Sequence, residues 1–144
     1  MKLYIDYTYK MVENYHSGEQ YGDWYEKWDF EINSVFVRQP KSVNRVETLD
    51  VDYEVSVGER VYVLYMRYSS GDSFGRSSGN AEIIWVFKSK EVAEATKVLW
   101  ENANENDMVE TVTDSGKSLK LSNPAAGYFE NVSSINLETY IVES

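Results

Sequence analysis

The chain has 144 residues, of which 15% are aromatic, and its 24 acidic and 14 basic side chains leave a net charge of −10. This length predicts a single domain over residues 1–144, and the negative charge disfavours direct binding to nucleic acid or to an anionic membrane. The absence of cysteine excludes disulfides, thiol catalysis and zinc–thiolate sites. Because the chain has neither a signal-peptide pattern nor an apolar run of membrane-spanning length, we expect a cytoplasmic protein.

Three alternating patterns in the first part of the chain predict half-buried strands. Apolar and polar side chains alternate over residues 2–12 and 24–37, on either side of a polar loop at 13–23. The third pattern, over 48–57, ends at Gly58 and Glu59, which are typical of a two-residue hairpin turn. Residues 48–57 and 60–68 are therefore predicted to pair as an antiparallel hairpin.

The middle of the chain carries the strongest strand signal. Residues 61–68 and 81–87 are apolar at nearly every position, which is typical of strands covered on both faces. Ser89 is predicted to cap a helix over about 90–103, and weaker patterns predict a hairpin of 108–113 with 117–121 and a last strand at 134–142. The expected fold is α+β, a largely antiparallel, twisted sheet of about six to eight strands with one helix on one face.

A weak internal similarity relates residues 4–7 to 62–65 and residues 22–30 to 79–87. If it reflects a repeat, the two glycine-containing loops lie at the same end of the sheet and frame one site. Chance agreement between aromatic-rich strands is the alternative interpretation.

The glycine- and serine-rich segment 69–80 is a candidate site for a small phosphorylated ligand. Its glycines allow backbone amides to point inward, and two nearby arginines would supply charge for a phosphate. The segment lacks the Gly-Lys-Ser/Thr pattern and the following helix of a P-loop, so a plain hairpin connection is the alternative. The assigned residues are Arg67, Ser70, Gly71, Asp72, Ser73, Phe74, Arg76, Ser77 and Asn80.

Two other segments are candidates for protein contact. Loop 13–23 and its flank combine the single histidine with aromatic side chains, a composition common in interfaces. Three acids at alternate positions of the third predicted strand share one face about 7 Å apart, and form either a solvated face or a patch that mimics phosphates. Calcium sites fold a loop around the ion, so no metal site is predicted. The assigned residues are Tyr15, His16, Tyr21, Trp24, Asp50, Asp52 and Glu54.

The segment Val86-Phe87-Lys88-Ser89-Lys90-Glu91-Val92-Ala93, followed by Gly127-Tyr128-Phe129-Glu130 and a last strand, resembles small α+β proteins of phages and their bacterial hosts. The resemblance covers about residues 60–143. It brings no activity, cofactor or catalytic residue, and it implies a phage accessory or counter-defence protein acting in the host cytoplasm by binding.

Three functional hypotheses follow. The favoured one is a non-catalytic protein that binds and inhibits a host or defence protein, with a basic partner surface favoured by the acidity. The second is a protein that binds or sequesters a phosphorylated, nucleotide-like molecule at 69–80, with a homodimer left open as its assembly. The third is a weak hydrolase that uses His16 and nearby acids.

Overall fold

The computed structural model describes residues 1–16, 24–41, 45–71, 75–103, 108–116, 118–122 and 130–144. Strands dominate these ranges, and one helix follows the fifth strand, which confirms the α+β class. The elements are β1 (Lys2–His16), β2 (Trp24–Phe36), β3 (Arg45–Asp50), β4 (Arg60–Gly71), β5 (Gly75–Phe87), α1 (Lys90–Glu101), β6 (Met108–Val112), β7 (Ser118–Ser122) and β8 (Glu130–Ile141).

The main sheet has the strand order β3-β1-β2-β5-β4-β8. It is a mixed sheet, and this corrects the prediction of a largely antiparallel one. Strands β2 and β5 pair in parallel, Trp24–Lys27 against Gly75–Ser78, while the other neighbouring pairs are antiparallel. The parallel pair arises because β1/β2 and β4/β5 are two long hairpins that lie side by side, so their second strands meet running in the same direction.

The predicted hairpin of 48–57 with 60–68 is wrong. Strand β3 ends at Asp50 and pairs with β1, whereas β4 lies between β5 and β8. Residues 51–57 form an irregular connection that buries Val51 and Val55, and Tyr53 donates a hydrogen bond to the Val86 carbonyl oxygen at 2.7 Å. The alternating pattern therefore comes from a connection with one side packed on the core.

One hydrophobic core joins the inner faces of β1–β3 to those of β4 and β5. The register of β2 with β5 ends at Lys27, and the far end of β2 is bridged to Glu143, whose backbone N–H donates to the Val35 carbonyl oxygen at 2.9 Å. The sheet thereby folds into two facing layers. The buried residues between them are Leu3, Ile5, Phe30, Ile32, Val35, Val51, Val55, Val61, Val63, Tyr65, Val86 and Val142.

A second core lies between α1 and the opposite face of β4, β5 and β8. Its buried residues are Leu64, Met66, Ile84, Phe87, Ala93, Trp100 and Ile135. Strand β4 contributes to both cores, which confirms that 61–68 is covered on both faces. The helix also packs on one face of the sheet as predicted. It begins after Ser89, whose hydroxyl accepts from the Val92 N–H at 3.3 Å.

The last third of the chain follows its predicted order. Strands β6 and β7 pair antiparallel, and β6 is tied to the helix because the Trp100 indole N–H donates to the Thr111 hydroxyl at 3.0 Å. Strand β8 begins earlier than predicted and pairs with β4 along its length. Among the described residues, no helix is long and apolar enough to cross a membrane.

Candidate functional site

The described parts of the two predicted loops, residues 13–16, 69–71 and 75–80, are strand. Strand β1 continues to His16, β4 continues to Gly71 and β5 begins at Gly75, so most of segment 69–80 belongs to a paired hairpin in which Ser70 opposes Ser77. The backbone ladder holds these serines and glycines in a strand although their own propensities are low. Four of the predicted site residues lie outside the described residues: Tyr21, Asp72, Ser73 and Phe74.

The end of the β1/β2 hairpin near Trp24 lies beside the end of the β4/β5 hairpin near Gly75. Trp24 pairs with Gly75 in the parallel register, and a Cβ at Gly75 would come closer than 3.0 Å to the Trp24 indole. The Tyr25 hydroxyl and the Ser78 hydroxyl are 2.7 Å apart across the same junction. The two segments thus share one end of the sheet, as the repeat hypothesis expected. Facing residues differ by 51 positions, however, so the offsets of 57 and 58 do not describe the structural register.

We call this end the hairpin tip, formed by residues 11–16, Trp24, Gly75 and Arg76. Its large apolar side chains are exposed: Tyr15 by 60%, Val12 by 46%, Met11 by 43% and Trp24 by 40%. A bulge between Met11 and Glu13 leaves Val12 without a register partner on β2, and bulges re-aim side chains at sheet edges. The exposed side chains lie on both faces of this end of the sheet, because Tyr15 faces Tyr25, the sequence neighbour of Trp24. Exposed aromatic and apolar side chains are the composition of an interface centre.

The two arginines predicted to share a phosphate do not converge. The Arg67 guanidinium lies 5.9 Å from the centre of the Phe30 ring and 5.4 Å from that of Tyr65, and it donates to the Phe30 carbonyl oxygen at 2.9 Å. Arg76 is exposed at the hairpin tip, opposite Gly71. Gly71 is four residues from Arg67, about 13 Å along the strand. Arg67 is thus engaged by Phe30 and Tyr65, and phosphate binding at segment 69–80 stays a prediction.

The carboxylate of Glu138 ties strand β8 to its surroundings. It accepts hydrogen bonds from the hydroxyls of Tyr65 and Tyr140, and the Tyr140 hydroxyl also lies 3.2 Å from the Ile32 carbonyl oxygen of β2. Burial, and secondly the hydrogen bond to Glu138, raise the pKa of both phenols above the usual value. Both phenols therefore stay neutral donors at pH 7. The hydrogen bonds of Tyr140 connect β8 to β2.

The three residues predicted to present acids on one strand face make separate contacts, and Glu54 makes its contact through the backbone. Asp50 accepts from the N-terminal ammonium of Met1 at 3.4 Å, and the Asp52 carboxylate accepts from two hydroxyls of the β6–β7 turn region. Lys88 donates to the backbone carbonyl oxygen of Glu54 at 2.9 Å. The prediction that the three acids share one strand face is wrong because β3 ends at Asp50.

These acids also lie far from the hairpin tip. Asp50 faces Lys2 at the start of β1, and Tyr15 is thirteen residues further along the strand, roughly 43 Å. His16 pairs with Trp24 through its backbone at the tip, while its side chain is outside the described structure. Within the described residues, no group of three histidine or carboxylate side chains could hold a metal ion.

A pocket that the sequence did not predict opens between the two layers, with a volume of about 240 Å³. Tyr7 and Tyr9 could be placed on one face of β1 from their alternation. The pairing of β1 with β3, which adds two charged side chains, carried no sequence signal. The lining residues are Tyr7, Tyr9, Phe30, Arg45, Glu47, Ala81, Glu82 and Ile83.

Comparisons of the chain with protein-family models, with curated proteins and with solved structures find no match. The geometry of the hairpin tip and of the interlayer pocket therefore carries the functional argument, and the resemblance to phage and bacterial proteins stays a prediction.

Proposed function

We propose that the protein is a non-catalytic binding protein that engages a protein partner through the hairpin tip. The observation that supports this proposal is the exposure of large apolar side chains there, of which Tyr15 is the most exposed. Tyrosine, tryptophan and methionine are enriched at interfaces, and tyrosine and tryptophan dominate binding hot spots. Both hairpin ladders extend to the tip, so little conformational entropy is lost when a partner docks.

The proposed partner has a basic surface around an apolar pocket. The chain's net charge of −10 would speed the approach of such a protein and disfavour acidic ones. The acids at 50–54 lie several Debye lengths from the tip at physiological salt, where that length is about 8 Å. They would therefore affect the approach of the partner rather than the contact itself.

The finer proposal is that the partner is a bacterial host or defence protein in the cytoplasm and that binding inhibits it, as the resemblance implies. Binding is favoured over hydrolysis because the exposed side chains at the hairpin tip are large, apolar and aromatic, a composition typical of interfaces.

A paired-variant experiment tests this function. Tagged wild-type protein captures partners from a bacterial lysate, and the captured protein is then purified and titrated by calorimetry. The double variant Val12→Ser/Tyr15→Ser removes apolar surface from the tip and spares Trp24, which packs on Gly75. Loss of a hot-spot tyrosine costs at least about 2 kcal/mol, so we expect binding weaker by at least about thirtyfold.

The matched control is Val98→Ser/Leu99→Ser, which removes two similarly exposed apolar side chains from α1. It is expected to bind within about twofold of the wild type, because α1 lies outside the tip. Unchanged binding by the tip variant, together with weakened binding by the helix variant, would move the interface to α1 and refute the proposal.

A further inference from the structure

The interlayer pocket has an aromatic wall that is fixed by its own contacts. The Tyr9 ring stacks on Trp28 with a centroid separation of 4.9 Å, and its hydroxyl donates to the Asn80 side-chain oxygen at 2.9 Å. The Phe30 ring packs 5.5 Å from Tyr7 and 6.1 Å from Tyr9. These rings are held in place before any ligand arrives, which lowers the entropic cost of binding.

Charged side chains surround this wall. Arg45 and Glu47 of β3 are exposed, and they share a sheet face with Tyr7 and Ile5, their partners on β1. The Arg45 guanidinium lies 5.5 Å from the centre of the Tyr9 ring, and Glu82 lines the pocket from β5. Charged side chains on an edge strand also discourage edge-to-edge aggregation, but that role needs neither a pocket nor an aromatic wall.

The volume limits the ligand to about one fused ring system. The pocket's 240 Å³ exceeds the roughly 150 Å³ of a cavity that holds a benzene ring. It is smaller than the roughly 300 Å³ at which sites for drug-sized molecules begin. A sugar or phosphate attached to the ring would remain in solvent.

We propose that the interlayer pocket binds a purine base of the guanine type. The ring packs on the aromatic wall, and its adjacent N–H donors bond to the two oxygens of the Glu47 carboxylate. Its carbonyl oxygen accepts from Arg45, a pairing that arginine commonly makes with guanine. Adenine has no carbonyl oxygen for the arginine and no matching pair of adjacent donors. Phosphates add nothing, so this site differs from the phosphate cradle predicted at 69–80 and is independent of the hairpin tip.

Calorimetric titration of the full chain with guanosine, adenosine and guanosine monophosphate tests the proposal. We expect one guanosine per chain, adenosine weaker by at least tenfold, and the monophosphate no tighter than guanosine. Glu47→Gln is expected to weaken guanosine binding by at least tenfold because it replaces one of the two acceptor oxygens. Ala81→Leu is expected to abolish binding because it fills the pocket, and the exposed Glu101→Gln serves as the unchanged control.

Several results would overturn the proposal. One is the absence of a binding signal with all three compounds. Another is an affinity for adenosine equal to that for guanosine. A third is guanosine binding that is unchanged by both Glu47→Gln and Ala81→Leu. If the Glu47→Gln variant self-associates while its guanosine binding is unchanged, the charged side chains serve only to prevent edge-to-edge association of β3. The proposal then also fails. Glu47→Gln decides the question if Ala81→Leu does not fold, because residue 47 is exposed and outside the core.

Discussion

Replacing Gly79 with alanine tests the parallel junction that places the two hairpins side by side. Gly79 has a φ of +74°, a conformation that L side chains rarely adopt. A Cβ there would come closer than 3.0 Å to the carbonyl oxygen of Trp28. That oxygen belongs to the backbone of β2, so the strands must separate to accept the methyl group.

The expected cost has two parts. The left-handed backbone conformation costs alanine about 1–2 kcal/mol. Separating the strands also weakens the neighbouring ladder between Lys27 and Ser78, at about 0.5–1.5 kcal/mol for each hydrogen bond lost. With two such bonds lost, the free energy of unfolding falls by about 2–5 kcal/mol. Gly58 has a φ of +95° with nothing within 4 Å of a Cβ. Gly58→Ala therefore has only the cost of the left-handed backbone conformation.

Scanning calorimetry separates the two variants. An unfolding entropy of about 2.1 cal/mol/K per residue makes 1 kcal/mol equivalent to about 3 °C for 144 residues. The melting temperature is expected to fall by about 6–15 °C in Gly79→Ala and by about 3–6 °C in Gly58→Ala. Equal decreases would show that β2 and β5 do not approach as closely as described, and would refute the junction.

Three further predictions concern stability. Thr111→Val leaves the buried Trp100 indole N–H without its acceptor and should lower the unfolding free energy in urea titration by about 1–3 kcal/mol; no change would contradict the contact. Ser89→Ala removes the helix cap and should cost about 1 kcal/mol in the same titration. Burial, and then nearby carboxylates, raise the pKa of Tyr53 and Tyr140 above their usual value. Stability should be full below about pH 10 and fall above it, because the unfolded chain releases these protons first. Melting curves between pH 8 and 11 should show a shallower alkaline decline in Tyr140→Phe than in wild type, and equal slopes would refute the assignment.

The predictable part of the fold lies where packing dictates residue type. Strand β4 must be apolar at successive positions because Val63 faces one core and Leu64 faces the other. Ser89 marks the start of α1 because its hydroxyl satisfies a free backbone N–H. These patterns are local, and local patterns are readable in a single sequence.

Features that depend on which strands meet were not predictable. The segment around Ser77 has a composition typical of a loop, but pairing with β4 and β2 makes it strand. Arg45 precedes the predicted third strand, and only its pairing with Tyr7 brings it to the pocket. The acids at 52 and 54 alternate with buried side chains of a connection rather than of a strand.

Site-specific photo-cross-linking tests the central claim, that partners bind at the hairpin tip, most directly. A photoreactive phenylalanine analogue replaces Tyr15 in one variant and Leu99 in the other, two positions with side chains exposed by 60% and 47%. The tip account predicts that the partner is cross-linked from position 15 and not from position 99, and that excess wild-type protein removes the product. A partner cross-linked from position 99 but not from position 15 would contradict it.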